Sequence, residues 1–301
     1  MNPFAKKIAN RINTYKYNKR ARKKNEKLVK FKDEILQYYS SAENISEDQL
    51  EVISYLKKNP LHVFPYSYVD SYNYLDIEVF HDPAFNNLPY VLHEGKKLFF
   101  KRKKNDIKIM HEYSFLCLEQ DERSPHRYLT NTFTVNDGDV VIDIGSAEGN
   151  FALSIIEKVK KIYLFEVEPQ WVEGLKATFA PWKDKVEIIN KYVSDTNDET
   201  NVSLDALFKN DEVVNFIKID VEGAEKRVLD GAAKLLERSK NINIALCTYH
   251  KQTDAEEFKQ ILEDKQFNIE FTKGYMIFIN ENLQDFKAPY LRKGLIRATK
   301  E

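Results

Sequence analysis

From residue 139 onward, short apolar runs alternate with amphipathic ones, and that alternation constrains the fold more than any other feature of the chain. "DVVIDIG" predicts a buried strand and "EGNFALSIIEKV" a helix. "KIYLFEVE" is a second strand, followed by the helix "PQWVEGLKATFA", with Pro169 in its first turn where a missing N–H is harmless. "KVEIINKYVS", "VVNFIKID" and "INIALCTYH" predict the third to fifth strands, and "SLDALF", "GAEKRVLDGAAKLLERS" and "DAEEFKQILED" the helices among them. "FNIEF" and "YMIFI" predict a closing antiparallel hairpin. Regular βα alternation specifies an α/β fold: a doubly wound, Rossmann-like parallel sheet with an antiparallel edge.

The expected organisation is a basic helical segment over 1–58, an accessory β-rich, acceptor-side segment over 59–128, and the ligand-binding domain over 129–301. Residues 1–30 hold eleven Lys/Arg and one Glu, a local charge of +10, so the net −1 leaves −11 for the rest of the chain. Phe4, Ile8, Ile12 and Tyr15, then Leu28, Phe31, Ile35 and Tyr39, recur at helical spacing. Such a helix has one apolar side to pack on the domain, on a partner or on an anionic membrane surface; the bland reading is a solvated face. "SEDQ" at Ser46–Gln49 has capping-box spacing and opens a helix that ends before Pro60. No run approaches the length of a membrane-spanning helix. The charged start lacks the apolar stretch of a secretory signal, so a cytoplasmic protein is expected, with peripheral contact at the inner membrane face through residues 1–30. Cys117 and Cys247 lie in apolar runs and read as buried thiols, not as a metal site.

Ligands of such sheets bind beyond the carboxyl ends of the strands. The first strand ends in Asp143-Ile144-Gly145-Ser146-Ala147-Glu148-Gly149, a turn in which glycines let backbone approach a ligand. The dinucleotide pattern G-x-G-x-x-G is absent, which favours a cofactor without a pyrophosphate. Glu166 ends the second strand 23 residues after Asp143, near the spacing of a ribose-binding acid. Asp195 follows the third strand, either facing an adenine amino group or serving as a turn residue.

With these residues in place the chain resembles the class I S-adenosylmethionine-dependent methyltransferases, and among them the FkbM family. "VIDIGSAEGNFALS" resembles the family's glycine motif, "YLFEVEP" its acidic ribose strand and "FIKIDVEGAE" its most diagnostic stretch. The glycine motif departs slightly, since many members have Ala-Asn where Ser146-Ala147 stand. The resemblance implies a seven-stranded sheet with its final strand inserted antiparallel. It also implies S-adenosylmethionine as cofactor, bound through Asp143, Gly145, Ser146, Gly149, Asn150, Glu166 and Asp195. It further implies O-methylation of a sugar, surface-glycan or natural-product hydroxyl.

The fourth strand borders the first in that topology, so Asp220, at its end, faces the reacting centre. On a period of two, Phe216, Lys218 and Asp220 share one face, which predicts a charged Lys218–Asp220 pair. Asp220 is the first candidate for general base or acceptor positioner and His250, ending the fifth strand, the second. Glu222 belongs to the same cluster. Glu225 is expected to favour the helix dipole from the first turn of the next helix. No metal is expected. The competing readings are a catalytically silent methyltransferase-fold scaffold in glycan assembly and, given the +10 arm, a nucleic-acid enzyme. "IKIDVEGAE" lacks the Asn/Asp-Pro-Pro-aromatic motif of amino-methylating DNA enzymes, so no specific nucleic acid is expected. The acceptor loops are expected from residues 60–128 and the C-terminal "APYLRKGLIRATKE", whose Arg292, Lys293, Arg297 and Lys300 serve either an acidic acceptor or a soluble tail.

Overall fold

The structure, a computed structural model, describes residues 22, 23, 25–209, 212–279 and 286–301. The chain divides into two compact units, one of Met1–Ser67 with Tyr275–Leu291 and one of Tyr68–Gly274 with Arg292–Glu301.

In the first unit, helix α1 spans residues 25–40. Phe31, Ile35 and Tyr39 on its apolar side are buried, and the Phe31 ring meets Phe286 and Tyr290 edge-on. The described part of the basic segment therefore buries its apolar face within its own unit; Phe4, Ile8, Ile12 and Tyr15 lie outside the described residues. Helix α2 (Glu47–Lys58) opens with the expected capping box: Ser46 Oγ accepts the Gln49 N–H and the Gln49 side chain accepts the Ser46 N–H.

The second unit begins with a three-stranded antiparallel sheet of β1 (Phe80–Asp82), β2 (Leu88–His93) and β3 (Lys96–Phe99), then helix α3 (Asp106–Glu119). The βα series follows: β4 (Val140–Ile144), α4 (Asn150–Ile155), β5 (Lys161–Phe165), α5 (Pro169–Thr178), β6 (Val186–Ile189), the short parallel pair β7 (Tyr192–Val193) and β8 (Asn201–Val202), and α6 (Leu204–Leu207). After these come β9 (Phe216–Ile219), α7 (Glu225–Gly231), α8 (Ala233–Arg238), β10 (Ile242–Cys247), α9 (Asp254–Glu263), β11 (Asn268–Phe271) and β12 (Leu295–Lys300).

Seven strands form the main sheet in the order β11-β12-β10-β9-β4-β5-β6. Strands β4, β5, β6, β9 and β10 pair parallel, and β12 runs antiparallel between β10 and β11. The antiparallel edge is as expected, but its segment is not: "YMIFI" does not pair in the sheet, and "LIRATK" does. Leu295–Lys300 of the C-terminal segment is thus a strand of the main sheet, not a soluble tail. Arg297 is buried and donates to the carbonyls of Arg127 and Tyr128, and Lys300 caps the carbonyls of Leu236 and Glu237.

Alternation along the strands sorts the two faces. Ile142, Ile144, Ile217, Ile219, Ile244 and Leu246 pack against Val228, Leu229, Leu235, Phe258 and Leu262 of the helices after β9. On the other face Phe216 meets Phe133 edge-on and Phe151 at a tilt, and Phe151 meets Tyr128 edge-on. Lys218 and Asp220 emerge on that second face, next to the point between β4 and β9 where the strand order reverses.

Candidate active site

Beyond β4 the chain passes Gly145 (φ +75°), Ala147 (φ +46°) and Gly149 (φ +85°) before entering α4. A Cβ at Gly145 would lie 2.0 Å from the Asp220 carbonyl oxygen, so this glycine is what lets the β4 turn touch the end of β9. A Cβ at Gly149 would meet the side chains of Leu175 and Phe179 at 2.7 and 2.9 Å, so this glycine seats the start of α4 on α5. Ser146 Oγ donates to the Asp143 carbonyl at 2.9 Å, and Asn150 is the first residue of α4.

Asp143 is fully buried, and its carboxylate lies 3.1 Å from Lys218 Nζ, which also donates to the Gly145 carbonyl at 2.7 Å. Lys218 therefore pairs with Asp143 across the two strands, where a pair with Asp220 was expected. Burial opposes the ammonium charge, but Asp143 and then Asp220 outweigh it and hold the Lys218 pKa above its ordinary value. Lys218 clamps the glycine turn.

A cleft of about 730 Å³ opens over the ends of β4, β5 and β9, lined in part by Gly145, Glu166, Tyr192, Asp220, Glu222 and Arg227. Glu166 accepts the backbone N–H groups of Ala147, Val167 and Glu168 at 2.9, 2.7 and 2.8 Å. These bonds lock the carboxylate beside the glycine turn, and its two oxygens keep acceptor capacity for a ligand hydroxyl. Asp195 stands outside the lining, accepting from Ser194 Oγ and Arg227 Nε at 2.9 Å each. Asp143, Ser146, Gly149, Asn150, Lys218 and His250 also lie outside it.

Asp220 is the hub of the cluster. Its carboxylate accepts from the hydroxyls of Tyr128 at 2.9 Å and Tyr249 at 3.1 Å. His126 Nε2 lies 3.5 Å away and His250 Nε2 3.8 Å. Burial pushes the Asp220 carboxyl up, yet His126, Lys218 and His250 together hold it well below the usual carboxylate range. Burial likewise opposes the charge on both imidazoles, and the facing carboxylates, Asp220 for His126 and Glu225 for His250, raise both above the ordinary histidine value. A carboxylate held that low is a weak base and a strong hydrogen-bond acceptor. Glu222, largely exposed, sits in the left-handed region (φ +54°), a conformation that costs a non-glycine residue on the order of 1 kcal/mol.

Glu225 stands in the first turn of α7, as expected of a carboxylate favoured by the helix dipole, and it has further partners. It is fully buried, its Oε1 accepts from the N–H groups of Val221 and Gly223, and that oxygen lies 2.8 Å from His250 Nδ1. Two groups sharing Asp220 have metal-ligand chemistry, His126/Cys247 and Glu225/His250, each with donor atoms within 4.8 Å of one another. His126, Tyr128, Tyr249 and Arg227 escaped the sequence reading; the first two lie in the irregular "SPHRYL", where no periodicity points at the sheet.

A second cavity, of about 450 Å³, is lined by His111, Glu112, Phe115, Leu116, Glu148 and Trp171. Trp171 also lines the larger cleft, and the ammonium groups of Lys101 and Lys104 lie over its ring at 4.3 and 4.6 Å. Burial raises the Glu148 carboxyl to about 8, so it is protonated at neutral pH and can donate as well as accept.

Residues 184–277 match the family described as Methyltransferase FkbM domain. Among curated proteins, a probable ribosomal RNA small subunit methyltransferase A from Methanococcoides burtonii is 35% identical over 79 residues, 26% of this chain and 27% of that protein. This chain thus matches only about a quarter of that relative's length. Among solved structures, a methyltransferase FkbM from Methylobacillus flagellatus aligns over 64% of this chain and 53% of its own, at 14% identity and a TM-score of 0.45. A putative methyltransferase from Streptococcus mutans, solved in complex with SAH, aligns over 66% of this chain and 99% of its own, at 16% identity and a TM-score of 0.39.

Proposed function

We propose that this chain, whose residues 184–277 match the methyltransferase FkbM domain family, is an S-adenosylmethionine-dependent methyltransferase that acts on a hydroxyl of a sugar or sugar-bearing acceptor. The observation that carries the acceptor class is the second cavity. A lining that combines Trp171 with the carboxyls of Glu112 and Glu148 is suited to a sugar, which presents C–H groups to aromatics and hydroxyls that need donors and acceptors. Trp171 lines both cavities, and this adjacency to the cleft supports the second cavity as the acceptor subsite.

The cleft fits the cofactor in size and donors. Glu166, held by three backbone N–H groups, takes the ribose hydroxyls, and the Asp195–Arg227 pair stands on the adenine side. When bound, the sulfonium supplies an activated methyl group, so the protein's task is to align the acceptor oxygen and manage its proton. Asp220 accepts hydrogen bonds and orients the acceptor hydroxyl; His250, 3.8 Å from it, takes the proton. Lys218 and Asp143 act beneath them by holding the glycine turn.

The test is calorimetric titration with S-adenosylhomocysteine, with NAD in parallel, followed by methylation assays on nucleotide-sugars and glycans. Micromolar binding of the first ligand alone, and methyl transfer to a sugar hydroxyl, are expected. Absence of binding by folded protein would return the chain to the scaffold reading. Methylation of non-sugar acceptors only would overturn the acceptor class.

A further inference from the structure

We infer that Glu225 is a positioning residue for methyl transfer, fixing the His250 imidazole so that Nε2, the nitrogen beside Asp220, receives the acceptor's proton. The inference rests on the methyltransferase reading above. Glu225 opens α7, yet its side chain is turned inward and fully buried. One oxygen is held by the N–H groups of Val221 and Gly223 at 3.1 and 3.3 Å and lies 2.8 Å from Nδ1 of His250. A carboxylate anchored by the backbone 2.8 Å from Nδ1 favours a proton on that nitrogen and leaves the lone pair on Nε2.

The ring is held from other sides as well. It packs on Tyr249 with centroids 4.1 Å apart, and the carbonyls of Tyr249 and His250 each accept from Arg292 at 2.6 Å. Nε2 faces Asp220 at 3.8 Å and Glu222 at 3.7 Å. The charged groups around the imidazole are Asp220 and Glu222 from the turn after β9, Glu225 from α7, Asp254 from α9, Lys251 with its ammonium on the Gly223 carbonyl, and Arg292 ahead of β12. Carboxylates dominate on the ring's two nitrogen sides, which stabilises the imidazolium that forms on proton transfer.

In the step itself the acceptor O–H proton passes to Nε2 and an oxygen lone pair forms the bond to the methyl carbon. The carbon–sulfur pair returns to sulfur, which leaves as a neutral thioether. No further reactant is needed, and the imidazolium later returns its proton to solvent.

The experiment is an NMR titration of the full chain labelled in its histidines, with the His250 signals assigned through His250→Gln, comparing wild type with Glu225→Gln. The amide oxygen of glutamine can still accept the Val221 and Gly223 N–H groups, so the substitution removes the charge facing Nδ1. Wild-type His250 is expected to show the Nδ1–H tautomer when neutral, and Glu225→Gln to lower its titration midpoint by at least about one pH unit, a tenfold change in proton affinity. An Nε2–H tautomer in the wild type, or an unmoved midpoint in the variant, would overturn the assignment. The wild-type tautomer decides the matter even where the variant folds poorly. S-adenosylhomocysteine affinity is measured on the same samples: loss of binding by the wild type would sink the methyltransferase reading while leaving the pair's titration to stand by itself.

Discussion

Asp143 and Lys218 are register partners in adjacent parallel strands, and their side chains form an ion pair of 3.1 Å with both groups buried. Removing one partner leaves a buried charge without compensation, which typically costs 3–5 kcal/mol. Lys218→Met is therefore expected to lower unfolding free energy by about that amount, and Asp143→Asn/Lys218→Met to recover most of it. Urea denaturation of the three proteins checks both statements.

Gly145 and Gly149 make different demands on the same turn. A Cβ at 145 strikes backbone, the Asp220 carbonyl, which cannot move without disturbing β9; one at 149 strikes the ends of two side chains. Gly145→Ala should lose at least about tenfold in S-adenosylhomocysteine affinity, since about 1.4 kcal/mol of misplacement suffices. Gly149→Ala should lose about 1–3 kcal/mol of stability with affinity kept within a few-fold. Calorimetry and thermal unfolding separate the two.

Glu166→Ala strips the acceptor from three backbone N–H groups at the cleft wall. A weakening of S-adenosylhomocysteine by tenfold or more (about 1.4 kcal/mol) is expected. Asp195→Ala, at the exposed Arg227 pair, should weaken binding less. Equal affinities for wild type and Glu166→Ala would remove Glu166 from the ribose role.

Burial raises Glu148 to about 8 in the folded protein, against an ordinary value of 4.5. Between those values the native state holds a proton that the unfolded chain has released, so stability falls as pH rises from about 4.5 to about 8. Glu148→Gln is expected to flatten that fall, and at pH 8 to be more stable than wild type by an amount on the order of a few kcal/mol. Denaturation at pH 5 and pH 8 measures the difference.

The strands were legible because their apolar runs are short, buried and evenly spaced, and the two-residue period placed Phe216, Lys218 and Asp220 on one face correctly. Periodicity gives a side and not a partner, however. Lys218 met Asp143 because β9 pairs with β4 in a register that no local pattern encodes. Tyr128 reaches Asp220 across 92 residues from an irregular segment. Glu225 has the sequence position of a helix-dipole residue, and only the turn of Val221–Gly223 brings it inward to His250. "YMIFI" and "GLIRATK" are both credible edge strands by composition; long-range pairing with β10 and β11 selects the second.

The chain leaves the sheet-bearing unit at Gly274, contributes Tyr275–Leu291 to the other unit, and returns at Arg292 to lay down β12. Neither unit is therefore a continuous piece of chain that a single cut can release. Among the described residues strand β11 joins the main sheet only through β12, so it must wait, already synthesised, for a segment whose Phe286 and Tyr290 meet Phe31. Excision of residues 1–67 would strand those two aromatic rings in the middle of the loop that delivers the sheet's penultimate strand. Assembly of the seven-stranded sheet is in this sense bound to a helix some 250 residues upstream, as the Tyr39 hydroxyl bonded to the Pro289 carbonyl across that separation makes plain.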